Sequence, residues 1–238
     1  MPDPYDAFPD LSFDRPVPGV LEVLADFGAQ RDRIAVAIVS GREVATLREI
    51  LHVRRGIALS GIHGLELVDF EGSEEIMQGA RECTNDLDEV RKWLDQNVPA
   101  GEGFVVEDKR FAVTLHYRNA PTIIARNVRD ELAQFIHDHA PRLALLDSKM
   151  ASEALPKSTS KADAVRALWQ RVGKEFEPVY FGDDLTDEDA FRELEGRGIT
   201  VLVGRQRPSA ARYRVENPSE VASVLRAMAS ALPVQSPP

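Results

Sequence analysis

Five carboxylates, Asp183, Asp184, Asp187, Glu188 and Asp189, fall within the stretch PVYFGDDLTDEDAF at 178–191, directly after a short apolar run. Thr186 and Asp189, three apart, match a capping box, and Asp187 and Glu188 then occupy a first helical turn, where negative charge is favoured. Asp183 and Asp184 precede that cap at a strand end, where adjacent carboxylates repel unless a cation or solvent intervenes. Asp183 and Asp187, four apart across the turn, are spaced to face one hard cation, with Asp184 behind them. Mg2+ suits such a partial site, because it keeps several waters and takes only one or two carboxylates.

Two other places carry chemistry. Ser40 closes the apolar run IAVAIV and is followed by Gly41 and Arg42; a glycine there lets a phosphate oxygen reach the backbone beside the next helix N-terminus, although ordinary turns use Ser-Gly as well. In STSKADAV, Ser160 and Asp163 form a second capping box that sets Lys161 at the first helical position. A cation there opposes the helix macrodipole at a cost of about 0.3–1 kcal/mol. A bound phosphoryl group would offset that cost; the alternative is an exposed lysine that tolerates its position.

The elements that hold these residues read as an α/β class fold. Val20, Leu21, Leu24 and Phe27 share one helical face, and the run ending at Ser40 follows as a fully buried strand. The same grammar returns late: a helix with Val165, Leu168, Trp169 and Val172, the strand PVYF, a helix with Phe191 and Leu194, the strand ITVLVG and a closing helix with Val221 and Leu225. Open sheets of this kind bind ligands beyond the carboxyl ends of their strands. Between the halves, GFVVEDK, FAVTLHY, RLALLDS and MASEAL read as paired strands, with helices near 80–97 and 122–139. We therefore expect a discontinuous core at 1–64 and 156–238, interrupted by an α+β cap domain at 65–155.

Composition narrows the function classes. At 238 residues and 43% hydrophobic the chain suits a globular protein, and a net charge of -10 disfavours nucleic acid and anionic membrane as partners. Cys83 is the only cysteine, which leaves no intramolecular disulfide and suits a reducing compartment. With no secretory pattern at the N-terminus and no run of about 18 apolar residues, the expected location is cytoplasmic.

The order Ser40, Lys161, Asp183 resembles the second to fourth motifs of the haloacid dehalogenase superfamily. VAIVSGR, GIHGLEL, VEDKRFAVTLHYRNAP, GDDLTDEDAF and ARYRVENPSEV resemble the trehalose-6-phosphate phosphatase family more closely, from about residue 17 to 230. The resemblance implies a Rossmann-like core with a parallel sheet, an inserted cap, and Mg2+-dependent hydrolysis of trehalose 6-phosphate to trehalose and phosphate in trehalose biosynthesis. It implies that Asp183 and Asp187 hold Mg2+, with Asp184 in support, and that Ser40 and Lys161 hold the phosphoryl group next to Gly41 and Arg42. It also sets His63, Gly64, Glu66, Glu107, Lys109, Arg118 and Glu153 toward the sugar. Read from spacing alone, Glu107 and Lys109 share one strand face, which suits paired hydroxyls and equally a cross-strand ion pair.

Two departures stand out. The family's first motif, an apolar strand ending in Asp-x-Asp-Gly-Thr, is not in this sequence; its nearest echo, PYDAF, has Pro4 at the nucleophile position and Asp6 at the acid/base position. Proline offers no carboxylate to phosphorus, so the alternative is a catalytically inactive sugar-phosphate-binding or regulatory homologue, or a truncated gene product. The absent strand would be central, and its loss is expected to leave two inner sheet edges. Leu155 stands where the family has an arginine.

Overall fold

The computed structural model describes residues 16–52, 56–148, 150–173 and 175–231. In chain order a first segment holds α1 (Val20–Gly28), β1 (Val36–Val39), α2 (Val44–Leu51), β2 (Ile57–Gly61), a 3-10 turn (Ile62–Gly64), β3 (Glu66–Val68) and β4 (Glu74–Ile76). A second holds α3 (Gln78–Glu82), α4 (Thr84–Asn97), β5 (Val105–Lys109), β6 (Ala112–His116), α5 (Thr122–His139), β7 (Leu143–Ser148) and β8 (Ala151–Pro156). The last holds α6 (Lys161–Val172), β9 (Val179–Gly182), α7 (Asp187–Glu193), β10 (Ile199–Val203), β11 (Tyr213–Val215) and α8 (Pro218–Ala231). These form two compact units, one at 76–159 and one that joins the first and last segments.

The two-segment unit contains two sheets. One has the order β1-β2-β3-β4, with β1 and β2 parallel and β3 antiparallel to β2; the other is β11-β10-β9, all parallel. The segment 65–75, read from sequence with the insert, thus pairs through β3 and β4 onto β2. Leu24 of α1 and Val44, Leu47 and Leu51 of α2 pack on Ile57 and Leu59 of β2, joined by Val36 and Ile38 of β1 and Leu225 of α8. Helix α6 serves both sheets: Leu168, Ala167 and Val172 lie against Ala58, Leu67 and Val39, while Val165 and Trp169 lie against Ala190, Leu194 and Tyr180.

The expectation that the run 34–39 is a fully buried strand is corrected here. β2 is buried along its whole length, but β1 is only partly so, with Ala37 exposed, and Val179 of β9 is 37% exposed. Among the described residues β1 pairs only with β2 and β9 only with β10, so one edge of each has no strand partner among them.

The unit at 76–159 is an antiparallel sheet of order β5-β6-β8-β7. Leu87, Val90 and Leu94 of α4 and Val128, Leu132 and Ile136 of α5 pack on Val113, Leu115, Leu143 and Ala154 from the strands. Cys83 belongs to this apolar cluster. No helix among the described residues is long and apolar enough to cross a membrane.

Candidate functional site

The carboxyl ends of β1 and β9 meet at the N-terminus of α6. The His63 amide donates to the Ser40 carbonyl at 2.8 Å, and a Cβ on Gly64, whose φ is +113°, would stand 2.8 Å from the Ser160 carbonyl oxygen. Lys161, the next residue, reaches Asp187 beyond β9 at 2.8 Å. Ser40, the 3-10 turn, the α6 N-terminus and the acidic turn therefore surround one corner, at the strand ends where an open α/β sheet binds ligands.

On the β1 side, the Arg42 amide donates to Ser40 Oγ at 3.1 Å, and the Arg42 carbonyl accepts from Ile62. Gly41 lies close against the His63 ring, since an added Cβ would sit 2.5 Å from Nε2. Glu66 is buried and its Oε2 accepts from the Val44 amide at 2.8 Å, at the start of α2. It thereby satisfies one of that helix's orphan donors, a fixed structural task for a residue the family pattern sets toward the sugar.

On the β9 side the two carboxylates differ. Asp187 is buried; Oδ1 accepts from Lys161 Nζ and Tyr180 OH, each at 2.8 Å, and Oδ2 accepts from the amides of Asp183 and Asp184, each at 2.9 Å. Four donors fill its lone-pair capacity. Burial works to raise its pKa, but the Lys161 charge and hydrogen bond outweigh it and hold the carboxyl below its usual range. Tyr180 is driven strongly upward by burial and by the Asp187 charge, which keeps its hydroxyl a donor. Lys161 thus balances its helix-end position through Asp187, a partner its spacing alone did not name.

Asp183 is exposed, and partial desolvation together with the Asp187 and Asp184 charges raises its pKa. A cation would relieve that repulsion, and Asp183 is the carboxylate of the turn that fits a hard, partly hydrated ion. Asp184 Oδ1 folds back to accept from the Leu185 amide at 2.7 Å. Among the described residues no group of three or more His, Cys, Asp or Glu forms a ready metal cage.

The Thr186 box does not form: Thr186 makes no side-chain cap bond, and its Oγ1 is buried without a partner among the described residues. The amides of Asp187 and Glu188 bond the carbonyls of Asp184 and Leu185 instead. Ser160 does cap α6, accepting from the Ala162 amide at 3.1 Å. Arg207 was not singled out from sequence; it donates to the Asp184 carbonyl at 2.9 Å and pairs with buried Glu188, tying the loop after β10 to the acidic turn. Its signal would have been the unbalanced burial of Glu188, which linear spacing does not reveal.

The unit at 76–159 holds its own polar row. Register aligns Glu107 with Thr114 and Thr114 with Glu153 across β5, β6 and β8. Lys109 Nζ lies 2.6 Å from Glu153 Oε1 and 4.0 Å from Glu107, Thr114 Oγ1 donates to Glu153 Oε1 at 3.1 Å, and His116 Nε2 is 2.9 Å from Glu107. Burial pushes the Glu107 carboxyl up, yet the His116 hydrogen bond and the Lys109 charge prevail and leave it lowered. Leu155 is buried two positions beyond Glu153, and Arg118 is exposed in the turn after β6. Asp6 lies outside the described residues.

Three comparisons bear on this geometry. The Trehalose-phosphatase family model matches residues 6–219. A Mycobacterium ulcerans trehalose-phosphate phosphatase is 30% identical over 228 residues, 91% of this chain and 56% of that protein. A Mycobacterium tuberculosis protein named as an uncharacterized glycosyl hydrolase is 34% identical over 226 residues, 90% of this chain and 16% of that protein. The chain thus spans about half or less of the length of these curated relatives. The structure of Aspergillus fumigatus trehalose-6-phosphate phosphatase superposes with a TM-score of 0.60 at 25% identity, covering 91% of this chain and 85% of that one.

Proposed function

Because the chain belongs to the trehalose-phosphatase family, we propose that it acts on trehalose 6-phosphate, hydrolysing the phosphoric monoester to trehalose and phosphate in trehalose biosynthesis, in the cytoplasm and with Mg2+ as cofactor. The observation that carries this reading is the corner where Ser40, the α6 N-terminus and Asp183 converge. Asp183 holds the metal, which supplies positive charge to the phosphoryl oxygens. Ser40 and the Gly41–Arg42 backbone receive the phosphoryl group, assisted by the positive end of α6. Lys161 and Asp187 act as a pair that fixes the acidic turn, with Lys161 adding its charge nearby. The unit at 76–159 is the cap, and its row of Glu107, Lys109 and Glu153, with Arg118, offers the charged donors and acceptors that bond sugar hydroxyls.

A second reading, sugar-phosphate binding without turnover, is favoured by one observation: the sequence has Pro4 where the family motif has its nucleophilic aspartate. Phosphate release from trehalose 6-phosphate, measured with Mg2+ and with chelator, separates the two. Metal-dependent release that Asp183→Ala abolishes supports hydrolysis. Stabilisation by trehalose 6-phosphate with no phosphate released supports binding alone.

A further inference from the structure

We propose that Arg207 is a positioning residue for Mg2+: through its guanidinium the loop after β10 fixes the backbone that carries Asp183, and so sets how tightly the acidic turn binds the ion. The inference rests on the reading of Asp183 as the carboxylate that holds Mg2+. Arg207 lies between the motifs GDDLTDEDAF and ARYRVENPSEV and belongs to neither.

The loop leaves β10 at Gly204, whose amide donates to the Val215 carbonyl at 2.9 Å, and returns at Arg212, whose amide donates to Thr200 Oγ1 at 3.0 Å. Between these ties it grips Glu188 twice: Arg207 Nη1 pairs with Oε1, and the Ala210 amide donates to Oε2 at 2.8 Å. Glu188 is buried in the first turn of α7, next to Asp187, so it is a fixed anchor. The other arm of the fork, Nη2, donates to the Asp184 carbonyl at 2.9 Å. Asp184 is therefore held at both its backbone groups, the amide by Asp187 Oδ2 at 2.9 Å and the carbonyl by Arg207 and by the Asp187 amide at 3.2 Å. Asp183 precedes it directly, with its own amide on the same Oδ2.

Mg2+ demands near-ideal geometry from its ligands, and groups that orient a ligand are felt in metal affinity. The planar guanidinium serves a carboxylate and a carbonyl at once, whereas a lysine ammonium is a point charge on a flexible stem and cannot lock both. Charge and position oppose each other here. By Coulomb repulsion alone a nearby cation weakens Mg2+ binding, so deleting Arg207 for its charge would tighten the site, while deleting it for its grip on the turn would loosen it.

Calorimetric titration of the whole chain with Mg2+, at a temperature well below the melting point of each protein, tests the proposal in Arg207→Met and Arg207→Lys. We expect the Kd to rise about tenfold in Arg207→Met and at least about threefold in Arg207→Lys, which keeps the charge but not the fork. Arg207→Lys carries the test if Arg207→Met does not fold. Tighter binding in Arg207→Met, or weakening below about threefold in either folded variant, overturns the positioning role while leaving Asp183 as the Mg2+ ligand. Failure of the unaltered chain to bind Mg2+ overturns the reading of Asp183, and this inference with it.

Discussion

Asp187→Ala would remove the counter-charge of Lys161 where the two side chains are only 4% and 8% exposed. It would also strip acceptors from Tyr180 OH and from the amides of Asp183 and Asp184. Breaking one side of a buried pair costs about 3–5 kcal/mol. At roughly 2–4 °C per kcal/mol for a chain of this size the melting temperature should fall by about 6–20 °C. Lys161→Met leaves Asp187 with three of its donors, so its cost is smaller, about 1–3 kcal/mol. In the double variant no uncompensated ammonium remains, and the combined loss should undercut the sum of the singles by about 1–3 kcal/mol. Urea denaturation of the four proteins measures each term. Additivity within about 0.5 kcal/mol, or an Asp187→Ala loss below about 1 kcal/mol, would refute the view that this pair anchors the acidic turn.

Calorimetric titration with Mg2+ should lose its signal in Asp183→Ala, whereas Asp184→Ala, whose carboxylate serves the Leu185 amide, should retain binding within about tenfold, or 1.4 kcal/mol. Gly182→Ala places a Cβ 2.5 Å from Asp187 Cβ and Cγ; the displaced clasp should cost about 1–3 kcal/mol of stability and weaken Mg2+ binding, both absent if the turn yields freely. In the unit at 76–159 the Arg142 hydrogen bond holds buried Asp86 below its usual pKa. With the folded pKa below the unfolded value, this contribution is complete above about pH 4 and fades as pH falls through the lowered pKa. Arg142→Leu should flatten that acid limb in pH-dependent unfolding, and an unchanged limb would contradict it.

Much of the fold is legible in the pattern of apolar residues, because helical faces such as Val165–Leu168–Val172 and alternating strands such as 112–116 are local signals. The partial exposure of β1 and β9 was not legible in their apolar runs, since burial depends on a neighbour that the strand's own residues do not encode. The acidic turn was half legible: spacing brought Asp183 and Asp187 together, but which carboxylate faces a cation depends on Tyr180 and Lys161 closing on Asp187 from elsewhere in the chain. Thr186 followed by Asp189 has the form of a cap, yet Thr186 makes no side-chain cap bond and the Glu188 amide bonds the Leu185 carbonyl instead. The pairing of Glu107 with His116 and of Lys109 with Glu153 required the strand register, which residue spacing within one strand cannot supply.

Amide chemical shifts of the isotopically labelled chain, titrated with trehalose 6-phosphate in the presence of Mg2+, test the assignment of this corner most directly. Perturbations centred on Ser40–Arg42, Lys161 and Asp183, with a second group at Glu107, Lys109 and Glu153, are the predicted result. Shifts confined to other surfaces, or none at saturating ligand, would contradict it.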